Sequence, residues 1–117
     1  MCGIAGIIDF KKRSSESILE KCTNQLAHRG PDGSGSHFVE NQSAQVGLGH
    51  RRLSIIDLST AAGQPMHYKQ FSLIFNGEIY NYNEIREELI RLGHKFNAHS
   101  DTEVIIHSWE QWVLICS

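Results

Sequence analysis

A cysteine directly behind the initiator methionine is this chain's strongest candidate for covalent chemistry. The small side chain of Cys2 favours trimming of Met1, which would leave a thiol and a free α-amine on one residue. A thiol attacks as its thiolate, and an α-amine with a pKa of roughly 8 can accept a proton near neutral pH. Nucleophile and base can thus come from a single residue, as in N-terminal nucleophile enzymes. A lone cysteine at position 2 is an ordinary occurrence, and its weight depends on what else the chain supplies. Acyl transfer also needs oxyanion donors and groups that hold the substrate. Asn76-Gly77, straight after an apolar run, offers a side-chain amide and a backbone N–H. Losing one such donor typically costs about a hundred- to a thousandfold in rate, although an isolated Asn-Gly more often just turns a hairpin.

An amino-acid substrate would bring a carboxylate and an ammonium. Arg51 and Arg52 are candidates for the carboxylate, because a guanidinium can pair with it through two parallel hydrogen bonds. On a strand their side chains point to opposite faces, so one of the two can enter a given pocket. Glu78 and Asp101 could hold the ammonium. Capping and helix-dipole complementarity are the ordinary alternative, and they fit Asp101 better than Glu78.

These residues must be positioned by elements that the pattern predicts. Residues 3–10 read as a buried strand carrying Ile4, Ile7 and Ile8. Ser14 or Ser15 can cap a helix running to about Ala27, with Ile18, Leu19, Cys22 and Leu26 on one face; Cys22 is then expected to be a core thiol. The segment HRGPDGSG at 28–35 is turn-rich. Strands are expected over 36–40, 44–53 and 71–75. Asn81 with Glu84 resembles a capping box for a helix through Ile85, Leu89 and Leu92, stopped by Gly93. A strand is expected over 94–98. Ser100 with Glu103 repeats the cap signal for a helix to about Trp112, with Val104, Ile105, Trp109 and Trp112 on its apolar side. Antiparallel strands with a few helices give an α+β class.

The chain has 117 residues, enough for one domain, and 40% hydrophobic and 21% charged content suit a soluble globular protein. A net charge of −2 provides no basic field for nucleic acid or anionic lipid. Cys2, Cys22 and Cys116 form an odd set without CxxC spacing, which argues against a disulfide framework, a structural zinc site and a thiol redox protein. Seven histidines show no metal-binding pair, and surface or loop positions suit most of them. There is no signal-peptide plan and no apolar run of membrane-spanning length. A cytoplasmic protein is expected, with no nucleic-acid or membrane partner.

Six segments occur in order: MCGIAG at 1–6, HRGPDGSG at 28–35, GHRRLSIIDL at 49–58, GQPM at 63–66, FNGEIYNYNEIREEL at 75–89 and SDTEVI at 100–105. Together they resemble the glutaminase domain of class II glutamine amidotransferases. HRGPD, RLSIID and NGEIYN are similar to those of glutamine-hydrolysing asparagine synthetases. The resemblance implies the αββα sandwich of N-terminal nucleophile hydrolases. It implies Cys2 as nucleophile, with its α-amine as base through water, and Asn76 and Gly77 as the oxyanion hole. Arg52 would bind the glutamine α-carboxylate while Arg51 faces away. Leu53, Ser54, Ile55 and Ile56 would line the pocket, and Glu78 and Asp101 would hold the ammonium. The implied reaction is hydrolysis of L-glutamine to glutamate and ammonia through a thioester, the ammonia passing to a synthetase domain that makes asparagine. ATP and magnesium would belong to that synthetase domain, with no cofactor in this chain.

In such proteins SDTEVI leads into further strands, which the apolar residues 113–117 do not resemble. The expected layout is a partial type 2 glutamine amidotransferase domain over 1–112, incomplete at its C-terminus, followed by a non-family tail over 113–117. An incomplete sandwich would leave unpaired sheet edges and an uncovered apolar face. The alternative function is a catalytically inactive fragment acting only through association with a partner synthetase.

Overall fold

The computed structural model describes residues 2–53 and 63–113, and all structural statements concern these. Strand β1 (Gly3–Asp9) precedes helix α1 (Glu16–Asn24) and the antiparallel strands β2 (Gly33–Glu40) and β3 (Gln45–Arg52). A short ribbon, β4 (Met66–Tyr68) and β5 (Phe71–Leu73), leads to helices α2 (Tyr82–Arg91) and α3 (Asp101–Ser108). The class is α+β, as expected. A π-helical turn, Trp109–Val113, extends α3.

The first sheet has the order β1-β3-β2, all antiparallel, with β3 in the centre. Asn41 shapes the β2–β3 turn, its side chain accepting from the Ser43 and Ala44 amides at 2.7 and 2.9 Å. On one face of the sheet lies α1, capped by Ser15 accepting from the Ile18 amide. Its buried residues are Leu19 and Thr23, which sit over Gly47 and Gly49. A Cβ on Gly49 would stand 2.0 Å from the Thr23 hydroxyl, so the helix seat requires glycine there. This overturns the expectation for Cys22, which is exposed. The helix is turned by one residue so that 19 and 23, rather than 18 and 22, meet the glycines. It also ends at Asn24, before Ala27, because residues 26, 27 and 29 switch to bonds three residues back.

The other face presents Ile8 and Val39 to solvent near the Asp9 end of the sheet, and Ile4, opposite His50, near the other end. Near the Arg52 end it meets the second layer, where the His67 ring packs edge-on against His37 at 4.6 Å. That layer has its own core from Met66, Leu89, Val104 and Ile106. His107, 1% exposed, lies within it against the rings of Tyr68, Phe96 and His94. Its Nδ1 meets His94 Nδ1 at 2.8 Å, and its Nε2 stands 3.6 Å from the Glu103 carboxylate.

Helix α2 stops as the sequence predicts. Gly93 has φ +102°, its amide donates to Ile90, and the His94 amide reaches Leu89 at 3.0 Å. The capping-box expectations fail. Neither Asn81 nor Ser100 makes a side-chain cap bond. Glu103 instead accepts the Asn97 and Ala98 amides at 2.7 Å each. Those amides are thereby removed from any ladder, and 94–98 is irregular rather than the expected strand. The strand expected over 71–75 is only three residues long, and β4 carried no expectation. Trp109 and Trp112 are partly exposed rather than part of a closed apolar side.

Candidate active site

Pairing of Gly3 with Arg51 at the end of β1 brings Cys2 alongside the end of β3. The Leu53 amide donates to Cys2 Sγ at 3.3 Å, and the thiol lies 3.7 Å from the Leu53 carbonyl oxygen. Cys2 is half-buried and free of any disulfide. A neighbouring loop closes over the β3 end: Pro31 bridges Arg52, and the Asp32 amide donates to the Arg52 carbonyl at 2.9 Å. Arg51 Nε donates to the Gly30 carbonyl at 3.0 Å, so Arg51 is engaged in holding that loop.

From the second layer, Asn76 Nδ2 donates to the Cys2 carbonyl at 3.0 Å. A side-chain amide has two N–H groups, so one can anchor Asn76 to Cys2 while the other serves a further acceptor. Asn76-Gly77 does not turn a hairpin; the chain runs on into α2. Glu78 is exposed, and the next amide, that of Ile79, donates to the buried Asp101 carboxylate at 3.0 Å. Asp101 thus ties the Asn-Gly-Glu segment to the start of α3. Chemically, this is a thiol beside a backbone donor, with a second amide donor fixed to the same residue, one carboxylate (Glu78) on the flanking segment and another (Asp101) bonded to it from α3.

A sequence model of the glutamine amidotransferase domain matches residues 1–116. The chain belongs to the glutamine amidotransferase domain family. It is 40% identical to asparagine synthetase [glutamine-hydrolyzing] 3 of Bacillus subtilis, across 99% of this chain and 19% of that protein. It is 41% identical to asparagine synthetase [glutamine-hydrolyzing] 1 of the same organism, across 96% of the chain and 18% of the relative. For putative asparagine synthetase [glutamine-hydrolyzing] 2 of Methanocaldococcus jannaschii the figures are 35%, 99% and 25%. The chain therefore spans about a fifth of the length of the first relatives it matches.

Of the residues singled out in this amidotransferase domain, Cys2, Leu53 and Asn76 are in direct contact, Gly77 and Glu78 follow Asn76, and Asp101 binds the same segment. Arg52 immediately precedes Leu53. Ser54, Ile55 and Ile56 lie outside the described residues.

The sequence reading missed His50 and Gln64. His50, expected at a surface or loop with most other histidines, is a buried residue of β3, 1% exposed. Burial first, and then the Arg52 charge, lower its pKa, against an opposing pull from the Phe75 backbone. Gln64 Oε1 accepts from the Phe75 amide at 2.6 Å, and its Nε2 donates to Thr102 Oγ1 at 3.3 Å. Gln64 stood inside the GQPM segment, but nothing in its residue type announced these partners. Among the described residues no group of three or more His, Cys, Asp or Glu side chains could hold a metal ion, and no helix is long and apolar enough to cross a membrane.

Proposed function

We propose that this domain hydrolyses L-glutamine to glutamate and ammonia, with Cys2 as nucleophile once Met1 has been removed. The Cys2 α-amine takes the thiol proton through water, and the sulfur adds to the side-chain amide carbon. The resulting oxyanion is held by Asn76 Nδ2 and the Gly77 amide. The C–N bond breaks with a proton delivered to nitrogen, ammonia leaves, and a γ-glutamyl thioester remains. Water then adds to the thioester, and the C–S bond breaks to release glutamate and restore the thiol. Arg52 binds the α-carboxylate, Glu78 and Asp101 hold the α-ammonium, and Leu53 with Ser54, Ile55 and Ile56 lines the pocket. The observation that carries this reading is the convergence on Cys2 of the Leu53 amide and the Asn76 side chain.

The fold proposed for the whole domain is the αββα sandwich. The released ammonia is proposed to serve asparagine-type amide transfer by a synthetase domain or subunit in the cytoplasm, because the relatives' names join glutamine hydrolysis to asparagine synthesis. ATP and magnesium are needed there and not for the hydrolytic half-reaction. A second reading is a non-catalytic domain that acts only through a partner synthetase; the exposed Ile4, Ile8 and Val39 favour it. Glutamate release from glutamine by the purified chain, lost in Cys2→Ala, is the expected result. A folded sample with intact mass starting at Cys2 and no turnover would overturn the catalytic reading in favour of the second.

A further inference from the structure

Phe75 precedes the two residues that form the proposed oxyanion hole, and its own amide is held by a side chain from another segment. Its amide donates to Gln64 Oε1 at 2.6 Å. Gln64 is fixed in turn: its Nε2 reaches Thr102 Oγ1, next to Asp101. Its carbonyl presses against β2 so closely that a Cβ on Gly35 would lie 1.9 Å from it.

We propose that Gln64 is a positioning residue of the glutaminase site, clamping the Phe75 amide so that the Asn76 side chain and the Gly77 amide face the Cys2 sulfur. The inference deepens the glutaminase reading and, for its catalytic consequence, rests on it. Asn76 and Gly77 are themselves exposed, and the segment after β5 has no ladder to hold it. Without the clamp, only the Asn76–Cys2 bond and the Asp101 tie to Ile79 would be left to set the hole. A donor displaced by about 1 Å loses most of its effect on an oxyanion. Substrate held through Arg52, Glu78 and Asp101 would still bind, so the clamp acts on kcat rather than KM.

The test compares Gln64→Leu, which removes the acceptor, with Gln64→Glu, which keeps one. Gln64→Leu is expected to lower kcat for glutamine at least tenfold, with KM changed less than about threefold. Gln64→Glu is expected to recover most of the loss. Amide hydrogen exchange of the same samples reads the clamp without turnover: Phe75 should exchange slowly in the wild type and at least tenfold faster in Gln64→Leu, with Leu19 and Leu89 unchanged. Unaltered Phe75 exchange overturns the clamp. Faster exchange with undiminished kcat overturns its role in positioning. If the wild type exchanges slowly at Phe75 but hydrolyses no glutamine, the glutaminase reading and the positioning role both fail, while the clamp itself stands.

Discussion

At the scale of single residues, Asp101 carries two readings that one substitution separates. Its carboxylate already accepts the Ile79 amide, and the proposed site also assigns it the substrate ammonium. Asn in its place keeps an acceptor for Ile79 but no charge. Asp101→Asn is therefore expected to raise KM for glutamine at least tenfold while thermal unfolding stays within a few degrees of wild type. An unchanged KM would leave Asp101 a purely structural tie. Asn76→Ala removes a donor in the proposed hole, and kcat is expected to fall about a hundredfold, measured as glutamate release under saturating glutamine. Cys2, Asn76 and Asp101 could be singled out as candidates in the sequence because each residue type states its own chemistry, whereas the choice of Arg52 over Arg51 came from the family resemblance. Gln64 could not, because its partners depend on which backbone group the fold lays against it.

At the scale of elements, the legible signals were those that a strand, a helix face or a cap supplies locally. Ser15 and Gly93 did what their positions predict. Ser15→Ala should destabilise the domain by about 1 kcal/mol, and Gly93→Ala by roughly 1–2 kcal/mol, since alanine is strained at positive φ; denaturant unfolding measures both. The strand expected over 94–98 failed because a non-local partner, Glu103, takes its amides. The face of α1 was misread by one position because the glycines that receive it lie on β3. Helix α3 carries a pH dependence of its own. Burial, and then the neighbouring His94, hold the His107 pKa below its ordinary value, against the opposing pull of Glu103 and Glu110. His50 is lowered as well, chiefly by burial. A depressed imidazole pKa means that the unfolded chain binds protons the folded chain refuses. Stability is thus fully present above about pH 6.5 and declines as pH falls below it. The melting temperature should drop between pH 7.5 and 5.5, and the drop should shrink in His107→Asn.

At the scale of the whole molecule, two layers meet at one end of the first sheet and part at the other. The end that meets holds Cys2, Leu53 and Asn76; the end that parts exposes Ile8 and Val39. Ile8, 68% exposed, can take a lysine without strain, so Ile8→Lys should leave the circular dichroism spectrum unchanged and weaken binding of an apolar fluorescent dye. The bond from Asn76 to Cys2 spans 74 positions of sequence. The ribosome therefore makes the proposed nucleophile among the first residues and the side-chain amide bonded to it much later, with the Asp101 tie later still. A nascent chain can carry a bare thiol long before it owns the proposed hydrolytic centre, and the proposed reactivity toward glutamine would switch on only as the last of these contacts closes.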